Sequence, residues 1–305
     1  MMISIDVLCI GQASYDITMS VSHHPGEDEK CLAHSRVMGG GGPAANAAVA
    51  VVRLGGSSAF VGYLSNDVFG ELHSQEFKQE GVNTSGVVRG NAASPLSVIL
   101  VKPEGTRTVV NDRSADAGIR LPAPTLLDAF RPTVILTDGH EPALSEWILR
   151  KSKKGNIPIV LDAGSLHKGT EALAPRVDYL IASRKFAEQY TGLSNPREAL
   201  NKLKTLVPMV IITLGEFGGI WSQGEETGSY PVFPVTVVDT TGAGDAFHGA
   251  FALGLARGYS PEKNIRFAAV AAALTCTKLG ARQGLPTMDS LLKFAPEMEK
   301  LIHPA

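Results

Sequence analysis

The stretch VVDTTGAGDAFHGAFALG, residues 237–254, places two aspartates around a loop of small residues just ahead of an apolar run. A surface turn needs one glycine. Here Gly242 and Gly244 flank Ala243, and Asp245 stands where the apolar run begins. Ala246, Phe247, Ala250, Phe251, Leu253 and Leu255 suit a helix packed on a sheet. The glycines let the chain turn with no Cβ on its concave side. The amides of Gly242, Ala243, Gly244 and Asp245 are then expected to face outward from a helix N-terminus, where unpaired N–H groups and the helix dipole bind anions such as phosphate. A carboxylate at that place repels phosphate. It makes sense where an attacking alcohol must lose a proton beside a phosphoryl group. The competing reading is a plain helix cap at Asp245, and spacing alone does not choose between the two.

Outward from this loop, apolar runs of strand length alternate with helical segments. IDVLCIG (5–11), SAFVGYL (58–64), PTVILTD (132–138), PIVLDAG (158–164), DYLIAS (178–183) and PMVIITLG (208–215) are rich in β-branched residues. They read as buried parallel strands. Helices are expected within AANAAVAVVRLG (44–55), FGELHSQEFKQEG (69–81) and ALSEWILRKSKKG (143–155). The pattern is that of a doubly wound, mostly parallel α/β sheet flanked by helices. Residues 14–38 and 94–112 instead alternate polar and apolar around turn signals at HHPGEDE and PEG. They read as half-exposed antiparallel strands, together one small β-sheet lid over the large sheet. No internal repeat or long linker appears, so residues 1–305 read as one α/β domain with this lid.

Composition narrows the function. The 305 residues carry a net charge of −2, and the densest basic group is Lys151, Lys153 and Lys154, so no nucleic-acid footprint is visible. Cys9, Cys31 and Cys276 are few and scattered, which argues against disulfides or a zinc site and fits a reducing compartment. No basic segment followed by an apolar one opens the chain, and runs such as AAVAAALTC (268–276) are too short to cross a bilayer. A cytoplasmic location with no membrane partner is expected.

DTTGAGDAFHGAF resembles the C-terminal signature of the ribokinase-like (PfkB) sugar and nucleoside kinases. GGGGPAANAAVAVVRLGG (39–56) is similar to that family's glycine-pair motif and the Asn-bearing helix after it. GQASYD (11–16) resembles its first strand with a substrate-binding Asp, and ITLGEFGG (212–219) its nucleotide-side strand and loop. The likeness runs from about residue 5 to residue 290 in the family's order. It implies an ATP-dependent kinase that phosphorylates a sugar hydroxymethyl group. Asp245 would be the base, and Gly242, Ala243 and Gly244 the anion hole. Asp16, Gly41, Gly42 and Asn46 would meet the sugar, and Thr213, Gly215 and Gly218 the nucleotide. Asp239 and Thr241 would belong to a loop that in many relatives holds a monovalent cation, usually K+. ATP and Mg2+ are the implied cofactors. Apart from the resemblance, Val98, Leu100 and Val109 read as apolar positions on the lid's outer face, which makes the lid a candidate homodimer contact.

One motif departs from the family. Many relatives carry N-x-x-E after the strand matching DYLIAS, where it helps to organise Mg2+. Here Ser183 and Phe186 occupy those positions, and Glu188 is rotated off the expected face. Mg2+ would then rest on ATP oxygens and water. The ketohexokinase branch has a similar segment, and GTRTVVNDRSADA (105–117) resembles its lid strand. The GGGPAA run is similar to bacterial sulfofructose kinases, where a Lys, an Asn and an Arg hold the sulfonate. Lys30 and Asn111 match the first two, and His140 stands at the third, which weakens a sulfonate assignment and leaves fructose-like ketoses and related sugars open. Arg107, Arg113 and Arg282 are charged candidates for phosphate or substrate contact, with solvated surface as the favoured reading of each, and Trp147 and Trp221 read as packing residues.

Three other functions fit parts of the sequence. A nucleoside kinase shares the fold. A dinucleotide-dependent oxidoreductase would use G-x-G-x-x-A at Gly40, Gly42 and Ala45 with Asp67 downstream, but leaves DTTGAGD unexplained. A sugar-binding regulator without chemistry has little need of Asp245.

Overall fold

A computed structural model describes residues 2–112 and 127–302. Its strands are β1 (Ile3–Ile10), β2 (Ser14–Val21), β3 (Ala33–Gly41), β4 (Ser58–Ser65), β5 (Asn83–Gly90), β6 (Leu96–Val101), β7 (Arg107–Asp112), β8 (Phe130–Thr137), β9 (Ile159–Ala163), β10 (Tyr179–Ser183), β11 (Met209–Thr213), β12 (Gly219–Gln223) and β13 (Glu226–Tyr230). The helices are α1 (Pro43–Arg53), α2 (Val68–Glu80), α3 (Ser145–Gly155), α4 (Lys168–Leu173), α5 (Arg184–Thr191), α6 (Pro196–Leu203), α7 (Ala243–Ala256), α8 (Pro261–Thr275) and α9 (Ala281–Gly284), followed by short C-terminal helices.

Nine strands form the main sheet in the order β13-β12-β11-β10-β9-β8-β1-β4-β5. The pairs from β5 through to β11 are parallel, and β12 and β13 extend the β11 edge as antiparallel strands. The six apolar runs anticipated as parallel strands are all present. The sequence pattern missed β5, β12 and β13, which carry fewer apolar residues. Chain order reverses beside β1, whose neighbours are β4 and β8. Such a switch point leaves a crevice at the carboxyl ends of the strands.

Both faces of the sheet are covered. One core joins Val7, Phe60, Val134 and Ile211 to α1, α7 and α8 through Ala47, Phe247, Phe251 and Phe267, all at most 3% exposed. The other packs Leu8, Ile135, Leu161 and Ile212 against α3 to α6, with Trp147 and Phe186 inside it. Full burial of each large apolar side chain contributes about 1.5–3 kcal/mol. Trp147 and Trp221 are both buried, as packing residues. Helices α1 and α7 approach closely because both present small residues. A Cβ on Gly249 would stand 2.7 Å from the Ala47 carbonyl oxygen. That approach carries Asn46 on α1 to the first turn of α7.

The lid is a separate four-stranded sheet, β3-β2-β6-β7. Both outer pairs are antiparallel, as the alternation suggested, but β2 and β6 join in parallel. Register places Gly39, Asp16, Ser97 and Asn111 in one row across the sheet, hence on one face. Val109 pairs with Ile99, itself opposite Thr18, so it shares the Asp16 face rather than the outer one. The opposite face carries Ile17, Met38, Val98 and Val110, of which the last is 64% exposed. The β6–β7 turn docks on the large sheet's side of the crevice. Arg107 donates to Thr240 Oγ1, and Thr240 Oγ1 donates to the Gly105 carbonyl at 3.2 Å. Arg107 is thus a contact residue of the lid, not merely solvated surface. Arg113 and the rest of the expected lid segment after Asp112 lie outside the described residues. No described helix is long and apolar enough to cross a membrane.

Candidate active site

Helix α7 begins as its sequence requires. Gly242 precedes it at φ 81°, a left-handed conformation that favours glycine, and a Cβ there would lie 2.7 Å from Ala281 Cβ. Gly242→Ala therefore combines a backbone cost of about 1–2 kcal/mol with a clash, and a thermal melt is expected to fall by several degrees. Gly244 differs: nothing stands within 4 Å of where its Cβ would be. The N–H of Ala243 donates to the Thr240 carbonyl at 3.4 Å. Those of Gly242, Gly244 and Asp245 have no protein partner among the described residues. Of the three residues proposed as an anion hole, two thus hold free donors, and Asp245 adds a third at the open mouth of the helix.

Asp245 is half-buried, and its Oδ2 accepts from Asn46 Nδ2 at 2.7 Å. Desolvation first, and the charge of Asp162 next, push its carboxyl up to about 7. Asn46 is 2% exposed and works at both ends, since its Oδ1 accepts from Arg282 Nε at 3.2 Å. Arg282 departs from the expectation of a solvated surface residue. It is 2% exposed, with its guanidinium over the Phe77 ring and Nη2 beside His73 Nε2 at 3.2 Å. Burial, then the Arg282 charge, hold His73 well below the usual histidine range. It is therefore neutral and accepts from the arginine. Glu76 supplies the nearest carboxylate, 3.7 Å from Arg282 Nη1. Only the fold assembles partners able to hold a buried guanidinium.

Asp16 points from the lid into the same crevice. It is 8% exposed, and its Oδ1 accepts from Ser14 Oγ at 2.9 Å. Burial raises its carboxyl, while Ser14, Ser97 and Arg282 oppose that rise. Its carboxylate occupies the space where a Gly41 Cβ would be. The close approach that Gly41 permits is by Asp16, and at Gly42 it is by the Gln12 carbonyl, 2.5 Å from the absent Cβ. Asn111 lies in the Asp16 row and is exposed. Lys30 is exposed in the loop between β2 and β3, outside the strands that form this row. His140 follows β8, stacked on His167 with ring centroids 4.1 Å apart.

Three acidic and basic groups were missed. Asp138, 2% exposed at the switch point, accepts from the amides of Gln12 and His140 at 2.9 Å and of Ala44 at 3.2 Å. It pins the end of β1 to the start of α1. Asp162, at the end of β9, lies 3.3 Å from His248 Nδ1. His248 is 4% exposed on α7. The available signal was an acid closing each apolar strand, TVILTD and PIVLD, at the edge where such sheets bind ligands.

At the edge expected to meet the nucleotide, Thr213 ends β11 and donates to the Ala182 carbonyl at 3.4 Å, and Gly215 has open space where a Cβ would be. Gly218 faces the Tyr230 carbonyl instead, a packing reason for glycine at the turn into β12. Ser183 caps α5 by accepting from the Phe186 amide at 2.9 Å, Phe186 is core, and Glu188 is exposed. No carboxylate enters the site from this segment. Asp239 is fully buried and already engaged: Oδ1 accepts from Thr241 N and Oγ1 at 2.9 and 2.6 Å, and Oδ2 from Gly280 N at 2.8 Å. It braces the loop ahead of α7. Among the described residues no group of three or more His, Cys, Asp or Glu is arranged to hold a metal ion. The dinucleotide reading fails on topology. Gly40 lies within lid strand β3, not after β1, and Asp67 caps α2 through the Gly70 amide at 2.9 Å.

Comparison with known proteins agrees with this architecture. Residues 4–288 match the pfkB family carbohydrate kinase profile. Ribokinase from Lactococcus lactis is 30% identical over 96% of this chain and 98% of its own. Fructokinase-1 from Oryza sativa is 29% identical over 83% of this chain and 87% of its own. The structure of Arabidopsis thaliana ribokinase complexed with ribose and ATP superposes with a TM-score of 0.82 at 26% identity, covering 96% of this chain and 99% of that one. A nine-stranded sheet, a four-stranded lid and a glycine-lined helix mouth meeting two aspartates thus sit on a full-length sequence match: the chain belongs to the pfkB family of carbohydrate kinases and is a sugar kinase.

Proposed function

We propose that the chain transfers the terminal phosphoryl group of ATP to a hydroxymethyl oxygen of a sugar, with Asp245 as base. The observation that carries this reading is the open cradle beside Gly244, with free N–H groups next to a carboxylate poised near neutrality. The cradle fits an anion, and the open edge at Gly215 fits a nucleotide beside it. Bound ATP would supply the phosphoryl group and Mg2+ would offset its charge; among the described residues no carboxylate cluster is arranged for the metal. Asp16 accepts from sugar hydroxyls, and Asn111 extends the same row of the lid. Asp245 takes the proton as the sugar oxygen bonds to phosphorus and the bond to the ADP oxygen breaks. The amides of Gly242, Gly244 and Asp245 steady charge on the phosphoryl oxygens. Asn46, held by Arg282, keeps the base aimed. The lid excludes water that would otherwise compete for the phosphoryl group.

Fructose-like ketoses are the first substrates to try, because of the likeness of the lid segment to the ketohexokinase branch. Ribose is the second reading, supported by the ribokinase relative and the ribose-bound structural neighbour. An ADP-release assay across ketohexoses, pentoses and nucleosides separates them. Turnover confined to nucleosides overturns the sugar assignment. The pH profile is also fixed in sign. The base works ionised, so kcat/KM is expected to level off above about pH 7 and to fall about tenfold per unit below it. A profile flat down to pH 5 contradicts it.

A further inference from the structure

His248 sits one turn into α7, behind the base, and no step above uses it. Its Nδ1 lies 2.6 Å from the Gly244 carbonyl oxygen and 3.3 Å from Asp162 Oδ2, and its Nε2 lies 3.2 Å from the Ile181 carbonyl oxygen. Carbonyl oxygens only accept hydrogen bonds. A neutral imidazole has one N–H and would point a lone pair at one of them. Both contacts are satisfied only when each ring nitrogen carries a proton. The resulting positive charge is 4% exposed, and the carboxylate beside it, Asp162, is 5% exposed. A buried charge needs such a partner.

We propose that His248 is carried as an imidazolium by Asp162, and that this buried ion pair holds the Gly244–Asp245 peptide in place and sets the pH at which Asp245 becomes a base. His248 is thus a positioning residue; the role rests on the reading of Asp245 as base. The pair lies under the cradle itself. Its imidazolium grips the carbonyl of the peptide whose N–H belongs to Asp245, which polarises that N–H toward an incoming anion. The charges also oppose one another at the base: Asp162 favours the protonated form of Asp245, and His248 the ionised form. The other groups facing Asp245 are Asp16 from β2, which acts like Asp162, and Asn46 from α1, which favours the ionised form. Asp162 in turn faces Asp138 and His140, and Asp138 faces His167. Removing His248 alone therefore leaves Asp162 without its nearest counter-charge and takes from Asp245 the one nearby charge that favours its ionised form.

The test uses the full chain. Ring 15N spectra of the wild-type protein at pH 7 are expected to show both His248 nitrogens protonated. In His248→Asn the acid limb of kcat/KM, measured with ATP and the best sugar, is expected to move up by about one pH unit. In Asp162→Asn/His248→Asn it is expected to return toward the wild-type position, while ATP affinity changes little in either. A neutral His248 ring overturns the proposal, and so does an unmoved limb in a folded His248→Asn protein. Should that variant fail to fold, the ring spectrum decides alone. Near-normal turnover in Asp245→Asn would sink the base reading and with it the tuning role, and would leave the ion pair to be judged by the spectrum.

Discussion

Asp245→Asn is expected to bind ATP about as well as the wild-type chain and to lose about 10²–10⁴-fold in kcat, the usual range for a missing general base. The substitution is nearly isosteric and leaves the helix mouth in place. An amide at 245 can still face Asn46, whose Nδ2 now meets the carboxylate at 2.7 Å. What it cannot do is take a proton. Single-turnover kinetics with ATP and sugar, beside a calorimetric ATP titration, separate chemistry from binding. Near-normal turnover would remove Asp245 from the base role and leave it as a first-turn carboxylate of α7 that only anchors Asn46. A loss of ATP affinity as large as the loss of turnover would place the residue in nucleotide binding instead.

Gly244→Ala is the second large effect, and its value lies in the contrast between stability and activity. The position lies in the first turn of α7, with open space where the new methyl would go. Alanine there is expected to leave the melting temperature unchanged or to raise it, since glycine in a helix is about 0.5–1 kcal/mol less favourable. Turnover is expected to fall by about 10²-fold or more, the cost of disturbing one anion-stabilising donor, because the methyl stands where the phosphoryl oxygens must sit. A purely structural loop predicts the opposite: no loss of activity and a slightly stiffer protein. Unchanged kcat in a folded Gly244→Ala chain would move the phosphate elsewhere.

The parallel core was legible because strands buried on both faces must be apolar throughout, as in PTVILTD and DYLIAS. Strand β5 escaped notice because NTSGVVRG is an edge strand with few apolar residues, and ETGSY at the other edge is similar. Lid alternation was visible at Asp16 and Val98, but alternation cannot say which strand pairs with which, and so neither the parallel seam nor the inward side of Val109 could be foreseen. Asp245 and Asn46 were found through motif and neighbours. Arg282 was not, because an arginine becomes a core residue only when His73, Glu76 and Asn46 converge on it from two other helices. Lys30 was drawn from resemblance alone, and the fold leaves it in an exposed loop.

The parallel seam between β2 and β6 has a consequence for biosynthesis. Tyr15 registers with Leu96, and α1, β4, α2 and β5 are made between them. A hairpin can close while its turn is still emerging, whereas this seam must wait for a whole intervening α/β unit and bear its loop-closure entropy. Until residue 96 leaves the ribosome, one margin of β2 offers bare amides and carbonyls to any neighbouring chain. Half-made copies of this protein are therefore most vulnerable to aggregation at that margin.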